Sequence, residues 1–321
     1  MLINFMYIKF IKLCLILSVI LSFYIENALA QQISFNRSIH NGVMKYDYVW
    51  RNPNGQKFNT SFKLYADDVK RSLTEFQKFD QSELDKAVTL QIQEFIKYHT
   101  PSGMSVDFNE KTRQISFEGN LKQNKINRFM KLMEEEQEKV NQAYFKKRFY
   151  NYNAKENTIR PAHGTIAKRY VLAMRPVAYA LKENVRGGTS RDITNHVLHF
   201  IQSIPYDTLE DVRNSNGAGF LTPYGIIQGN KGDCDSKSVM FAAIMRNIYP
   251  YARIAVIYVP GHALVGFDYK KGRDDFAINI DVNTFVLAEP VGPNQSDLGV
   301  VSPSALAVLR QGGYSYEEVP Y

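Results

Sequence analysis

The chain has 321 residues, of which 45% are hydrophobic and 22% charged, with a net charge of +7. That balance excludes a disordered polar tail and suffices for one large or two modest domains with a full core. Its basic residues are not gathered into a stretch interleaved with aromatics. Nucleic-acid binding is therefore excluded as the organising function, and weak attraction to anionic surfaces is what remains.

Lys9 and Lys12 precede an apolar stretch from Leu13 to Ile25, which ends on Ala28-Leu29-Ala30. A positive flank, a short apolar core and a small-x-small end are the parts of a secretory signal peptide. The stretch also falls short of the ~20 apolar residues of a membrane span. Residues 1–30 are expected to be a signal cleaved after Ala30, giving a periplasmic or secreted protein that starts at Gln31 and has no stable membrane insertion. An uncleaved N-terminal anchor is the alternative. Of the two cysteines, Cys14 leaves with the signal, so Cys234 is a lone thiol in an oxidising compartment and cannot form an internal disulfide.

Residues 43–64 read as a hairpin, with Tyr46, Tyr48 and Trp50 alternating before the turn at Asn54-Gly55, and Phe58, Thr60, Phe62 and Leu64 after it. Leu84, Val88, Ile92 and Phe95 then mark one face of a helix. Met104, Val106 and Phe108 pair with Ile115 and Phe117 in a second hairpin. Residues 122–149 form a long amphipathic helix with Ile126, Phe129, Met133, Val140 and Tyr144 inward. Residues 31–155 are thus expected to be a small α+β module of unknown role, with no residue pattern that suggests catalysis.

The polar stretch from Asn151 to Gly164 marks the expected boundary, and residues 156–321 the second domain. Its first helical stripe, Ile166, Tyr170, Met174, Val177 and Leu181, is interrupted by Pro176. Thr189 or Ser190 caps the next helix, which carries Ile193, Val197, Phe200 and Ile201 inward. His196 and His199 share that helix but have no third ligand nearby, so no metal site is assigned to them. No cofactor signature and no EF-hand calcium loop is visible.

The run Gln228-Gly229-Asn230-Lys231-Gly232-Asp233-Cys234-Asp235 leads into Ser236–Ile248, which is apolar nearly all round and reads as a buried central helix. Cys234 therefore stands at a helix N-terminus, where unpaired N–H groups favour a thiolate and can hold an oxyanion. Asp233 and Asp235 oppose that charge, so a histidine is needed as well. Arg253–Val259 is a β-branched strand, and Pro260-Gly261 turns it into a second strand that His262 begins. After Phe276–Ile280, the strand Phe285–Leu287 leads to Glu289, a carboxylate at an apolar strand end that needs a partner. Cysteine nucleophile, histidine base and carboxylate orienter follow triad logic. Asp281 is the alternative acid, with a turn role as its competing reading.

This order, with Gly232–Asp235 at a helix start, Gly261-His262 at a strand and Glu289–Pro293 at a strand end, resembles the transglutaminase-like superfamily. The exported, papain-related bacterial branch is the nearest. The resemblance covers roughly 165–301. It implies an α+β fold with a papain/transglutaminase-like core, in which a cysteine-bearing helix packs on an antiparallel sheet. It also implies a Cys234–His262–Glu289 site acting on amide bonds of a peptide or protein outside the cytoplasm, without a cofactor. By the same likeness Gln228, a few residues before the cysteine, is the oxyanion candidate. The acid is glutamate where better-known members use aspartate, and Trp50 is the only tryptophan, so no tryptophan flanks the cysteine. Three functions follow as expectations: a thiol hydrolase or acyl transferase, a non-catalytic peptide- or envelope-binding relative, and a protein cross-linking enzyme.

Overall fold

The computed structural model describes residues 31–120, 122–153, 157–211, 219–292 and 294–321. The expected signal segment, with Cys14, lies outside them. Strands β1 (Gln32–His40), β2 (Val43–Arg51) and β3 (Lys57–Tyr65) form an antiparallel sheet in that order. The expected hairpin is β2–β3, and β1 joins it although its sequence carries no clean alternation. Helices α1 (Ala66–Glu75) and α2 (Gln81–His99) follow, then the hairpin β4 (Met104–Asn109) and β5 (Gln114–Gly119), then α3 (Gln123–Arg148). A short ribbon, β6 (Tyr150–Asn153) with β7 (Thr158–Pro161), leads into α4 (His163–Tyr170), α5 (Arg175–Asn184) and α6 (Ser190–Ser203). Pro176 lies in the first turn of α5, where the missing N–H costs nothing, so one sequence stripe becomes two helices. Thr189 and Asp192 cap α6 reciprocally.

Helix α7 (Pro223–Gly229) precedes α8 (Cys234–Ile248). The remaining strands are β8 (Ile254–Val259), β9 (His262–Asp268), β10 (Ala277–Ile280), β11 (Asn283–Ala288) and β12 (Ser315–Glu318), with α9 (Pro303–Arg310) between the last two. They make one antiparallel sheet in the order β10-β11-β9-β8-β12. The chain is therefore α+β with antiparallel sheets. Among the described residues no helix is long and apolar enough to cross a membrane.

Helix α8 is enclosed from Ser236 to Arg246. Val239, Met240, Phe241, Ala242, Ala243, Ile244 and Met245 have no exposure, and they pack among α4–α7 and one face of the five-stranded sheet. The sheet's other face, with Ala255, Ile257, Leu264, Phe285 and Leu287, is covered by Ala305 and Leu309 of α9.

The division expected near residue 155 is not where the core divides. Tyr46, Tyr48, Trp50, Phe62 and Leu64 of the N-terminal sheet belong to the same apolar cluster as Val197, Phe200 and Ile201 of α6. The rings of Tyr48 and Phe200 lie 5.1 Å apart, and those of Trp50 and Phe200 5.7 Å. One face of β2–β3 is apolar and must be covered, and α5 and α6 cover it. What stands apart is the excursion from Gln81 to Arg148, whose own small core is Ile92, Phe95, Phe129 and Met133. Its two ends meet, since Tyr150 Oη donates to Gln77 O at 2.8 Å and the Phe79 and Tyr150 rings lie 5.6 Å apart.

A chain that starts at Asn157 should consequently be insoluble or molten, because α5 and α6 lose their cover. Replacing Gln81–Arg148 by a short Gly-Ser linker should preserve one cooperative urea transition. A stable 157–321 fragment, or collapse of the linker variant, would refute this division.

His196 is buried between the Trp50 and Phe58 rings, 4.8 and 4.5 Å away, and its Nε2 has no partner. Burial, with His199 adding, lowers its pKa to about 4. Between pH 6.5 and about 4 the unfolded chain binds the proton and the folded chain does not, so stability should rise with pH through that window. Burial lowers the pKa of His199 too, against the pull of Asp297, and adds the same sign. His196→Phe should flatten the slope of the urea midpoint against pH, removing at most about 3 kcal/mol of acid sensitivity.

Candidate active site

Asp233 is the N-cap of α8, its carboxyl group accepting from Ser236 N at 3.1 Å, so Cys234 becomes the first helical residue. The loop before it is tied to the segment after α6. Tyr206 and Gly232 form a β-bridge, Gly232 N donates to Pro205 O, and Lys231 Nζ pairs with Asp207 at 2.7 Å. Lys237, on the next turn and without exposure, donates to Ile204 O at the end of α6. Burial lowers its pKa to about 7, against the pull of Asp233.

The β8–β9 hairpin pairs Val259 with His262 across Pro260-Gly261, and Gly261 at φ 71° supplies the left-handed turn residue. Two central antiparallel strands thus fix the His262 backbone. Its Nε2 lies 2.7 Å from Glu289 Oε1, and the second carboxylate oxygen accepts from Ser302 N at 2.6 Å. An ionised carboxylate only accepts, so Nε2 carries a hydrogen, and in the neutral ring the lone pair is on Nδ1. Burial opposes the charge of Glu289. The His262 ring and the Ser302 N–H outweigh it and hold the carboxyl below the usual glutamate range. The loop after Glu289 is clasped to α6. Gln202 Nε2 donates to Glu289 O at 2.8 Å and Ser296 O at 3.1 Å, and a Cβ on Gly292 would lie 2.2 Å from Gln202 O.

Cys234 and His262 line one cleft of ≈730 Å³ with Asp233, Asp235, Arg160, His163, Tyr258 and the Gly312–Ser315 segment. No hydrogen bond joins the Cys234 sulfur to the imidazole in this resting arrangement. Burial, then Asp235 and Asp233, push the thiol up to about 12, while the N–H groups of Ala263 and Asp235 pull the other way. The helix terminus expected to favour thiolate is thus outweighed by burial and two carboxyl groups, and the resting group is the thiol.

Asp281 occupies the β10–β11 turn at φ 52°, exposed, with no link to His262. The acid beside the imidazole is Glu289. Gln228 is not at the cleft. It belongs to α7, its Oε1 accepts from Tyr46 Oη at 2.7 Å and its carbonyl from Arg37, so it fastens the N-terminal sheet. Six residues before the cysteine, it is absent from the cleft lining and bonded to the N-terminal sheet instead. Tyr224 and Phe267 are core residues, packed on Tyr170 and Tyr249. Tyr206 is half exposed, and the Cys234, Asp233 and Asp235 charges add to burial in raising its pKa. His163 and Tyr258, which the sequence reading passed over, also line the cleft. His163 stands where a linker was expected, and its Nε2 lies 3.1 Å from Asp235, a pairing that no local pattern announces. Among the described residues no cluster of three His, Cys, Asp or Glu could hold a metal ion.

Gln228→Ala should leave the alkylation rate of Cys234 by iodoacetamide unchanged and cost about 1 kcal/mol of stability through the lost Tyr46 bond. A slower alkylation at unchanged stability would return Gln228 to the cleft.

No protein-family model, curated protein or solved structure matches this chain.

Proposed function

We propose that the chain is an exported thiol hydrolase of the transglutaminase-like kind, with a papain-like core, acting on amide bonds of a peptide or protein outside the cytoplasm. The observation that carries this reading is the 2.7 Å link between His262 and Glu289 in the cleft that Cys234 enters from a helix N-terminus. His262 Nδ1 takes the thiol proton as the sulfur attacks the carbonyl carbon. The C–N bond then breaks, and the amine leaves with that proton. Water adds to the thioester, His262 again accepting the proton, and the acid departs as the thiol is restored. Glu289 stabilises the imidazolium in both halves. N–H groups at the start of α8 are the donors available to the oxyanion.

Water is favoured over an amine as acceptor because the cleft is open and ionisable groups stand in its lining. Asp233, Asp235, Arg160 and His163 line it, whereas a cross-linking enzyme needs a dry, apolar passage for the thioester. The second reading, a binding relative without turnover, draws on the high thiol pKa and the absent sulfur–imidazole bond in the resting structure.

Incubation of the 31–321 chain with a library of envelope peptides, and with a glutamine-containing peptide plus a labelled amine, separates these readings. The expected result is Cys234-dependent hydrolysis that falls roughly 10²–10⁴-fold in Glu289→Gln. Amine incorporation exceeding hydrolysis would make the protein a cross-linking enzyme. Absence of both reactions, with a thiol inert to iodoacetamide, would make it a binding module.

A further inference from the structure

The cleft holds a second imidazole that the proposed reaction leaves unused. His163, 3% exposed at the start of α4, has Nε2 3.1 Å from Asp235 Oδ2 and Nδ1 2.8 Å from the Tyr258 hydroxyl. That hydroxyl lies 3.2 Å from Glu317 Oε2, and the other Glu317 oxygen accepts from Gly164 N at 2.9 Å. The Arg160 guanidinium covers the Tyr258 ring at 3.8 Å, and the Phe220 ring lies 5.2 Å from His163. Asp233, Cys234 and the half-exposed Tyr206 are the other titratable groups around Asp235.

Counting hydrogens gives this chain a direction. The Tyr258 hydroxyl has one hydrogen and two neighbours that would take it. Donated to Glu317, it leaves the phenol oxygen to accept from Nδ1 of His163. Asp235, whose other oxygen accepts from Ser236 N at 2.9 Å, faces Nε2 at ion-pair distance without hydrogen-bond alignment. With both carboxylates ionised, this arrangement suits a His163 ring that carries two N–H groups and a positive charge, in ion-pair contact with Asp235.

We propose that His163, anchored by Tyr258 and Glu317, is the built-in counter-charge of Asp235, and that this neutralisation is what lets Cys234 give its proton to His262. His163 is a positioning residue, because it acts through Asp235 and keeps its own hydrogens throughout. The proton leaves sulfur for His262 Nδ1, and no other bond changes. The inference rests on the reading of Cys234 as nucleophile, but its readout is the ionisation of the thiol and not turnover. The chain thus compensates the thiolate from two sides, with His262 taking up the proton and His163 cancelling the adjacent anion. Without His163, the thiolate would form beside an uncompensated carboxylate in a partly desolvated cleft, where one unit charge a few ångströms away is worth about one to two pH units.

The test is the rate of Cys234 alkylation by iodoacetamide as a function of pH in the 31–321 chain, with folding checked by circular dichroism. His163→Gln keeps hydrogen-bonding capacity without charge and should raise the midpoint by about one to two units. Asp235→Asn, which keeps an acceptor for Ser236 N, should lower it by a similar amount. In the Asp235→Asn background, His163→Gln should bring the midpoint back to near its native value, because the double variant again has no net charge beside the sulfur. An unmoved midpoint in His163→Gln, or a double variant whose midpoint stays at either single-variant extreme, would overturn the proposal. Should His163→Gln fail to fold, Asp235→Asn decides alone, and a midpoint that stays or rises would overturn it. His262→Gln keeps the two readings apart. If it alters the profile while His163→Gln does not, the counter-charge falls and the triad stands. If only His163→Gln alters it and no hydrolysis occurs, the triad falls and the counter-charge stands.

Discussion

Helix α8 has no face to give to water, and the rest of the molecule is arranged around that constraint. Its seven consecutive unexposed residues from Val239 to Met245 each need a neighbour on their own side. Burying its larger side chains contributes roughly 1.5–3 kcal/mol apiece, so uncovering one flank would be ruinous for a domain of ordinary stability. The five-stranded sheet covers one side and helices α4–α7 the others, and those helices are covered in turn by the N-terminal sheet. The two cationic residues on α8 end their side chains on main-chain carbonyls. Lys237 reaches Ile204, and Arg246 reaches Pro250, Ala252 and Val319. Each therefore ties the helix to a loop and meets part of its own desolvation penalty by hydrogen bonding.

The same burial that gives α8 its place makes charge at its N-terminus difficult. Cys234, Asp233 and Asp235 crowd three acidic groups into one turn. Burial and the hydrogen bond shared with Asp235 raise Asp233 to about 9, so it is neutral at pH 7. For Asp235, burial works the same way, but the His163 ring, the Asp233 carboxyl and the Ser236 N–H hold it down to about 2. One carboxyl of the pair is thus kept protonated and the other ionised by their different partners. Each imidazole at the cleft is matched to one carboxylate, His262 to Glu289 and His163 to Asp235, and each pair bridges elements far apart in the chain.

Rigidity of the site comes from strands and clasped loops. His262 opens a central strand, where pairing with Val259 of β8 holds its backbone in register and β11 flanks the strand from Val265 onward. Glu289 lies just past β11, and the segment after it is held on α6 by Gln202, by the Asn195 side chain accepting from Leu298 N, and by Arg191 donating to Leu298 O. The turn that carries Asp281 has no such anchoring, which is a physical reason for the acid to come from the strand end.

What the sequence determined was local and periodic. Alternation in Tyr46, Tyr48 and Trp50, the apolar run of α8, the Thr189 cap and the Pro260-Gly261 turn each depend on a few neighbouring residues. The elements they mark stand where the pattern put them. The α+β class and the candidacy of Cys234, His262 and Glu289 were legible for the same reason, since each sits at the boundary of a well-marked element. Tertiary structure decided everything that depends on which faces meet. It joined the β1–β3 sheet to the main core and left residues 81–148 as the separate unit, because an apolar sheet face is silent about its partner. It turned Gln228 toward Tyr46, since loop spacing says nothing about direction across a helix. It also brought His163 to Asp235 from an apparent linker, because a contact between distant residues has no periodicity to betray it.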